Sequence, residues 1–316
     1  MKIAALDVGT STVLMVVAER TDDGQVRCLA DFSRITRLGR GVDRTGHLDP
    51  DSAARTLEAI VEFTQQARAL GAEKIVTAAT SALRDASNGA AFIASVAQRA
   101  GVGLDVVSGE IEAHLSWLAV VNGLHIDRTR RLLIVDIGGG STELIRAEPG
   151  GDLTKSNLMM ASLQIGSVRL TERIVHHDPP AAAETAELRQ AIDSALDGLG
   201  WDLRTDILVG IAGTVTTVCA VALGSHTYDP AVVHGYRLTR HEVEDTLARF
   251  GSLPLAERKK LPGVPEGRAD VIFAGTMILS RVMERARADS VMVSDHGVRW
   301  GLVWRELGAT VNQSHS

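Results

Sequence analysis

The chain has 316 residues, too many for one ordinary hydrophobic core and suited to two domains. Hydrophobic residues make up 45% and aromatic residues only 3%, so the core must be built from Ala, Val, Leu and Ile, the mixture of α/β layers. The formal charge of −6 argues against non-specific nucleic-acid binding, yet leaves room for a local basic site that takes a polyanion.

The N-terminus "KIAALDV" (2–8) enters a strand at once, without the pattern of a signal peptide. A turn, "GTST", and a second strand over 13–19 follow. "RITRLGRGVDRTG" then gathers Arg34, Arg37, Arg40 and Arg44, which read equally as a polyanion contact or a solvated loop. Asp49 and Pro50 start a helix whose apolar stripe is Leu57, Ile60, Val61 and Leu70, and Gly71 ends it. Next come a strand over 74–80, a helix over 88–101, a strand over 104–109 and a helix over 110–123. The polar bridge "HIDRTRR" (125–131) divides a first lobe, 1–126, from a second, 127–316.

The second lobe repeats the opening. "RLLIVDIGGGSTELIRAE" matches "KIAALDVGTSTVLMVVAE" position by position, which sets Asp7 and Asp136 129 residues apart. A strand and helix follow over 207–223, and Thr239 with Glu242 forms a capping box for the next helix. A long helix spans 268–288, and a strand, a polar turn and a last helix occupy 290–307, that helix being free to pack back on the first lobe. The tail "NQSHS" reads as frayed. Strands alternating with helices in both halves imply an α/β fold of two related lobes with a cleft between them. Cys28 and Cys219, both in apolar surroundings, read as buried thiols of a reducing compartment. No stretch approaches the roughly 18 uninterrupted apolar residues of a membrane span, so a cytoplasmic protein without a membrane partner is expected.

The chemistry is concentrated in the two matching turns. Three consecutive glycines, Gly138, Gly139 and Gly140, carry a large entropic cost, and a phosphate cradle explains them. Backbone N–H groups of such a turn form an anion-binding nest, and Ser141 and Thr142 add hydroxyls. Gly9, Thr10, Ser11 and Thr12 offer the same parts in the first copy. Either turn alone reads equally as structural; two in register favour phosphate. Asp136, and Asp7 in the first copy, suit a hard oxygen ligand for Mg²⁺, or another divalent cation such as Mn²⁺. Gly213 and Thr214 fall at a strand–helix junction whose N–H groups face either an anion or close packing. Neither a Walker A motif nor a dinucleotide fingerprint is present. His176 and His177 adjoin Pro179 and Pro180 and read as a loop.

Paired Asp-Gly-Thr/Ser turns in duplicated lobes resemble the actin, sugar kinase and heat-shock ATPase superfamily, with its ribonuclease H-like lobes of mixed sheets flanked by helices. Within it the motifs resemble the exopolyphosphatase and guanosine pentaphosphate phosphatase (Ppx/GppA) family. "DIGGGSTEL", "ATSALRDASN", "VSGEIEAHL", "IGSVRLTE", "LPGVPEGRADVI" and "SDHGVRWGL" carry that resemblance along the chain. It implies that Glu112 activates the attacking water and that Glu143 joins Asp136 near the metal. It also implies that Arg84 and Arg299 contact phosphate, although either arginine reads as well as a salt-bridge partner.

Several positions depart from the family pattern. Thr10-Ser11-Thr12 stands for Ser-Asn-Ser, Ile111 for a glutamate and Trp300 for an acid, and Leu14 lies where some members carry a basic residue. The sequence through residue 316 shows no segment resembling the helical C-terminal half of long members, so the short form of the family is expected. The resemblance implies Mg²⁺-dependent release of terminal phosphate from inorganic polyphosphate, with shorter chains favoured and a homodimer expected. Its alternatives are hydrolysis of the 5′-phosphate of pppGpp and a weakly catalytic polyphosphate or alarmone sensor. An ATP-dependent sugar or acid kinase is the competing class outside the family.

Overall fold

The computed structural model describes residues 1–127, 129–149 and 158–308, so the frayed-tail expectation lies outside the described residues, as does Arg128 of the polar bridge. The chain forms two compact units: Met1–His125 together with the segment from His296 onward, and Ile126–Asp295. The boundary expected after residue 126 compares with one after His125, and the last helix belongs to the first unit.

The first unit opens on β1 (Lys2–Val8), β2 (Thr12–Arg20) and β3 (Val26–Ile35). It continues through α1 (Val42–Thr45), α2 (Pro50–Ala69), β4 (Lys74–Ala79), α3 (Ser81–Asp85), α4 (Gly89–Ala100) and α5 (Gly109–Gly123). The sheet order is β3-β2-β1-β4, antiparallel except for the parallel β1–β4 pair. Strand alternation divides β1 between two layers. Ala4, Leu6 and Val8 pack with residues of α2 and α4, while Ile3 and Ala5 face a cluster that the C-terminal helix builds together with α5. By the same alternation Asp7 lies on the face of Ile3 and Ala5. Asp49 caps α2 as read, its carboxylate accepting from Ser52 N at 2.9 Å, with Pro50 in the first turn.

The second unit contains β5 (Leu132–Ile137), β6 (Thr142–Ala147), β7 (Leu158–Leu163), α6 (Ser167–Ile174), α7 (Ala182–Asp197), β8 (Ile207–Ile211) and α8 (Ala212–Ala222). It is completed by α9 (Pro230–Val233), β9 (Arg237–Thr239), α10 (Arg240–Ser252), α11 (Leu255–Arg258), α12 (Ile272–Ala286) and β10 (Ser290–Ser294). Its order, β7-β6-β5-β8-β10-β9, is the first sheet's arrangement with two strands added beyond β8. Leu133, Val135 and Ile137 face a core shared with α6, α7, α8, α10 and α12. Thr239 and Glu242 form the expected capping box on α10. Glu184, in the first turn of α7, staples the segment before it by accepting from the backbone N–H groups of His176, His177 and Ala181. The His177 imidazole, then those N–H groups, hold its carboxyl down to about 2.

The final helix, α13 (Val298–Leu307), lies against α5, with Val298, Trp300, Leu302 and Val303 in the same cluster as Leu115 and Ala119. Gly301 is the point of closest approach: a Cβ there would sit 2.0 Å from the carbonyl oxygen of Leu115.

Several expectations are corrected. Residues 104–109 form no strand, because Val106 makes one bridge to Ala79 before Ser108 caps α5. β3 occupies the start of the arginine segment, and Arg34 on it pairs with Glu62 at 2.7 Å and lies over the Phe63 ring. Leu70 is exposed rather than part of the buried stripe, since α2 ends at Ala69. The helix read from 268 begins at Ile272, after a 3₁₀ turn over Glu266–Arg268. Cys28 is exposed on the edge strand β3, whereas Cys219 is buried and burial pushes its thiol up to about 12. Neither is joined in a disulfide. Among the described residues no helix is long and apolar enough to cross a membrane.

Gly301→Ala is expected to force α13 off α5 and to destabilise the first unit by about 1–3 kcal/mol, the usual cost of overpacking. Urea unfolding followed by tryptophan fluorescence checks this, since Trp117, Trp300 and Trp304 all lie on these two helices. An unchanged midpoint would contradict the contact.

Candidate active site

Both phosphate-turn candidates are hairpins that close a buried central strand. In the first unit Gly9 N donates to Thr12 O at 3.0 Å, and in the second Gly138 N donates to Ser141 O at 3.0 Å. The pairs Val8–Val13 and Ile137–Thr142 close the two hairpins. The match extends across three strands. Asp7 lies opposite Leu14, which lies opposite Ser33; Asp136 lies opposite Glu143, which lies opposite Ser162. Each residue of the second row follows its counterpart by 129 positions (7 and 136, 14 and 143, 33 and 162).

In each unit the chain after the third strand returns to brace its hairpin. Thr36 N and Arg37 N donate to Ser11 O, and Gly39 N donates to Thr10 O at 2.8 Å. Arg37 takes up a left-handed conformation to do so, with φ of 60°. At the second hairpin the start of α6 supplies the donors. Ser167 N bonds Gly138 O, Val168 N and Arg169 N bond Gly139 O, and Arg169 Nε bonds Gly140 O at 2.7 Å. A Cβ on Gly166 would lie 2.4 Å from Gly139 O, so only glycine admits this approach.

The brace occupies the turn carbonyls, which would repel an anion. The N–H groups of Thr10, Ser11, Gly139 and Gly140 make no backbone hydrogen bond among the described residues. The Ser11 hydroxyl is buried and also lacks a hydrogen-bond partner among them. Ser141 and Thr142 are buried, and Thr142 donates its hydroxyl to Ile165 O. Donors directed away from occupied carbonyls are the composition of an anion nest.

The carboxylates are all buried: Asp7 is 8% exposed, Asp136 5% and Glu143 0%. Glu143 Oε1 accepts from Ser162 Oγ at 2.6 Å. Among the described residues there is no group of three or more His, Cys, Asp and Glu side chains placed to hold a metal ion. Asp136 and Glu143, directly opposite on adjacent strands, form a two-carboxylate oxygen set. That composition fits Mg²⁺, which commonly takes one or two carboxylates and fills its octahedron with water and phosphate oxygens.

Glu112 lies in the first turn of α5, whose Ser108 cap accepts from Ile111 N. A carboxylate is favoured there by the helix dipole. It is 7% exposed, and Arg84 Nη1 donates both to its Oε2 at 2.7 Å and to Val107 O at 2.9 Å. Arg84, expected to touch phosphate, thus ties the position of Glu112 to the segment that leads into α5. Arg299 likewise binds Asp31 of β3 through Nε and Nη2, the latter at 2.9 Å. For both arginines the structure displays the salt-bridge alternative.

Gly213 and Thr214 lie in the first turn of α8, directly after β8. Ala212 at the junction has φ of 70°, a strained value for a residue with a Cβ. Arg268 Nη1 donates to Gly213 O and to Thr217 Oγ1, both at 2.8 Å, which sets a guanidinium at that helix end. Thr214 packs against Gly275 of α12. Sequence reading did not single out Arg268, although it stands inside the quoted segment "LPGVPEGRADVI".

A family model, that of the Ppx/GppA phosphatase family, matches residues 16–310. The chain is 33% identical to exopolyphosphatase 2 of Mycobacterium tuberculosis, over 95% of this chain and 97% of that protein. It is 31% identical to the solved Aquifex aeolicus member of the Ppx/GppA protein family, with a TM-score of 0.80, covering 100% of this chain and 99% of that one. A crystal structure of an exopolyphosphatase-like protein is also 31% identical, with a TM-score of 0.90 over 96% and 97% of the two chains.

Removing either partner of the Arg84–Glu112 pair is expected to destabilise the first unit. The double variant Arg84→Met/Glu112→Gln should lose less than the two single losses together, with a coupling of about 0.5–3 kcal/mol. A double-mutant cycle in urea measures it, and strict additivity would show the pair to be energetically idle.

Proposed function

We propose, for a chain that belongs to the Ppx/GppA phosphatase family, divalent-cation-dependent hydrolysis of inorganic polyphosphate, releasing terminal orthophosphate, with shorter chains favoured. The observation that carries this reading is one hairpin design used in both units, with its carbonyls occupied and its N–H groups available to phosphate oxygens. The end-to-end match to a protein named exopolyphosphatase 2 supports the substrate class.

Cleavage of a terminal phosphoanhydride needs a positioned water, a base to orient it and a setting that accepts charge on the equatorial oxygens. In this reading Glu112 is the base. Its buried carboxylate accepts a hydrogen bond from water and draws off the proton as the oxygen attacks phosphorus. Arg84 holds that carboxylate against rotation. The N–H groups of Thr10, Ser11, Gly139 and Gly140, with the Ser11 and Ser141 hydroxyls, donate to phosphate oxygens. Asp136 and Glu143 hold Mg²⁺, which when bound neutralises charge on the phosphate oxygens it meets.

The test is phosphate release by the purified protein with Mg²⁺ from short polyphosphate, long polyphosphate, pppGpp and ATP, side by side. Short polyphosphate should be hydrolysed fastest. Glu112→Gln should cut turnover by about 10²–10⁴ with KM little changed, as for a lost general base. Asp136→Asn should raise the Mg²⁺ concentration needed for half-maximal rate. Faster release from pppGpp than from any polyphosphate would reassign the substrate, and full turnover by Glu112→Gln would remove that residue from the mechanism.

A further inference from the structure

The repeat provides an internal control for the one carboxylate that the first unit lacks. At the centre of the three-residue row the first unit has Leu14, half-buried, and the second has Glu143, with no exposed surface at all. The same strands, hairpin and cross-strand pairing form around either residue, so the fold does not require a carboxylate there. Burying one carries a large desolvation penalty unless it is compensated by partners. An apolar side chain at the matching position avoids that penalty.

The third member of each row is a serine, and the two serines are used differently. Ser33 stands opposite Leu14 on the edge strand β3 and is exposed. Ser162 stands opposite Glu143 on β7, is half-buried, and donates its hydroxyl to Glu143 Oε1 at 2.6 Å. A bond of that length from a hydroxyl to a carboxylate is of the charge-assisted class. It anchors one oxygen of Glu143 to β7, while Asp136 flanks the same residue from β5.

We propose that Ser162 is a positioning residue for the divalent-cation site, its hydroxyl holding the Glu143 carboxylate in the orientation in which it ligates the ion beside Asp136. The proposal rests on the reading that Asp136 and Glu143 hold the cation. Partners that orient ligating carboxylates typically contribute about 10–100-fold to metal affinity. A serine that served only the strand would contribute to folding and leave the ion unaffected.

The experiment is Mn²⁺ binding to the full-length protein, read from the paramagnetic signal of free Mn²⁺ as protein is added, together with the Mg²⁺ dependence of phosphate release. Ser162→Ala should weaken Mn²⁺ binding about 10–100-fold and shift the Mg²⁺ midpoint in parallel, with KM for short polyphosphate nearly unchanged at saturating Mg²⁺. Ser162→Thr, which keeps the hydroxyl, should restore both, and the matched control Ser33→Ala should move neither. Wild-type Mn²⁺ affinity in Ser162→Ala, with binding lost in Glu143→Gln and Asp136→Asn, would overturn the role of Ser162 and leave the carboxylate site standing. Wild-type affinity in all three variants would overturn the carboxylate site and the proposal together. If Ser162→Ala is unstable, the Ser162→Thr comparison decides, because a folded threonine variant without wild-type affinity contradicts the claim.

Discussion

The hydrogen bond that closes each hairpin, Gly9 N to Thr12 O and Gly138 N to Ser141 O, is the constraint on which the rest of the site depends. It ends a buried strand abruptly, so that an aspartate two residues before the glycine stays inside the sheet while the turn lies beyond it. The return segment then takes the turn carbonyls, through residues 36–39 in one unit and the start of α6 in the other. A peptide unit whose carbonyl is held on one side presents its N–H elsewhere, which makes the turn a fixed donor array. Preorganised donors need no rearrangement when charge arrives, and this is the main way a protein assists phosphoryl transfer.

The arginines complete that arrangement indirectly. Arg84 fixes Glu112, Arg299 fixes the start of α13 to β3, and Arg268 closes on the first turn of α8. Each guanidinium is engaged by protein oxygen, and each braces an element next to a site candidate. The carboxylates follow the same logic: Glu143 is held by Ser162, and Glu112 by Arg84. The candidate groups are held by cross-strand contacts, by helix starts and, at the first hairpin, by the loop over residues 36–39. The close approach of Gly301 to Leu115 fixes α13 against α5.

Much of this was legible in the sequence, because its signals are local. The Asp49–Pro50 start, the Thr239–Glu242 box and the repeat of "DVGTST" in "DIGGGST" each depend on neighbours in the chain, and the structure shows the caps and the paired hairpins. The edge strands β3 and β7 escaped notice. Exposure of one side interrupts the alternation, and β3 mixes charged residues with half-buried ones. The segment over 104–109 misled in the opposite sense, being apolar enough for a strand but too soon ended by the Ser108 cap. The partners of Arg84 and Arg299 were illegible for a simple reason. They stand 28 and 268 residues away, and no periodicity reports such a pairing. The matching serines 33 and 162 were in plain view, but their meaning depends on strand register, which only the fold supplies.

The central claim is that the hairpin N–H groups bind phosphate, and it can be read at those groups. The direct measurement is a ¹H–¹⁵N spectrum of protein labelled with ¹⁵N-glycine, titrated with inorganic triphosphate in the absence of divalent cations. The account predicts saturable shifts of the Gly139 and Gly140 amides, with Gly200 and Gly224 in remote turns unmoved. Amides of Gly139 and Gly140 that stay in place while the protein still hydrolyses polyphosphate would contradict it.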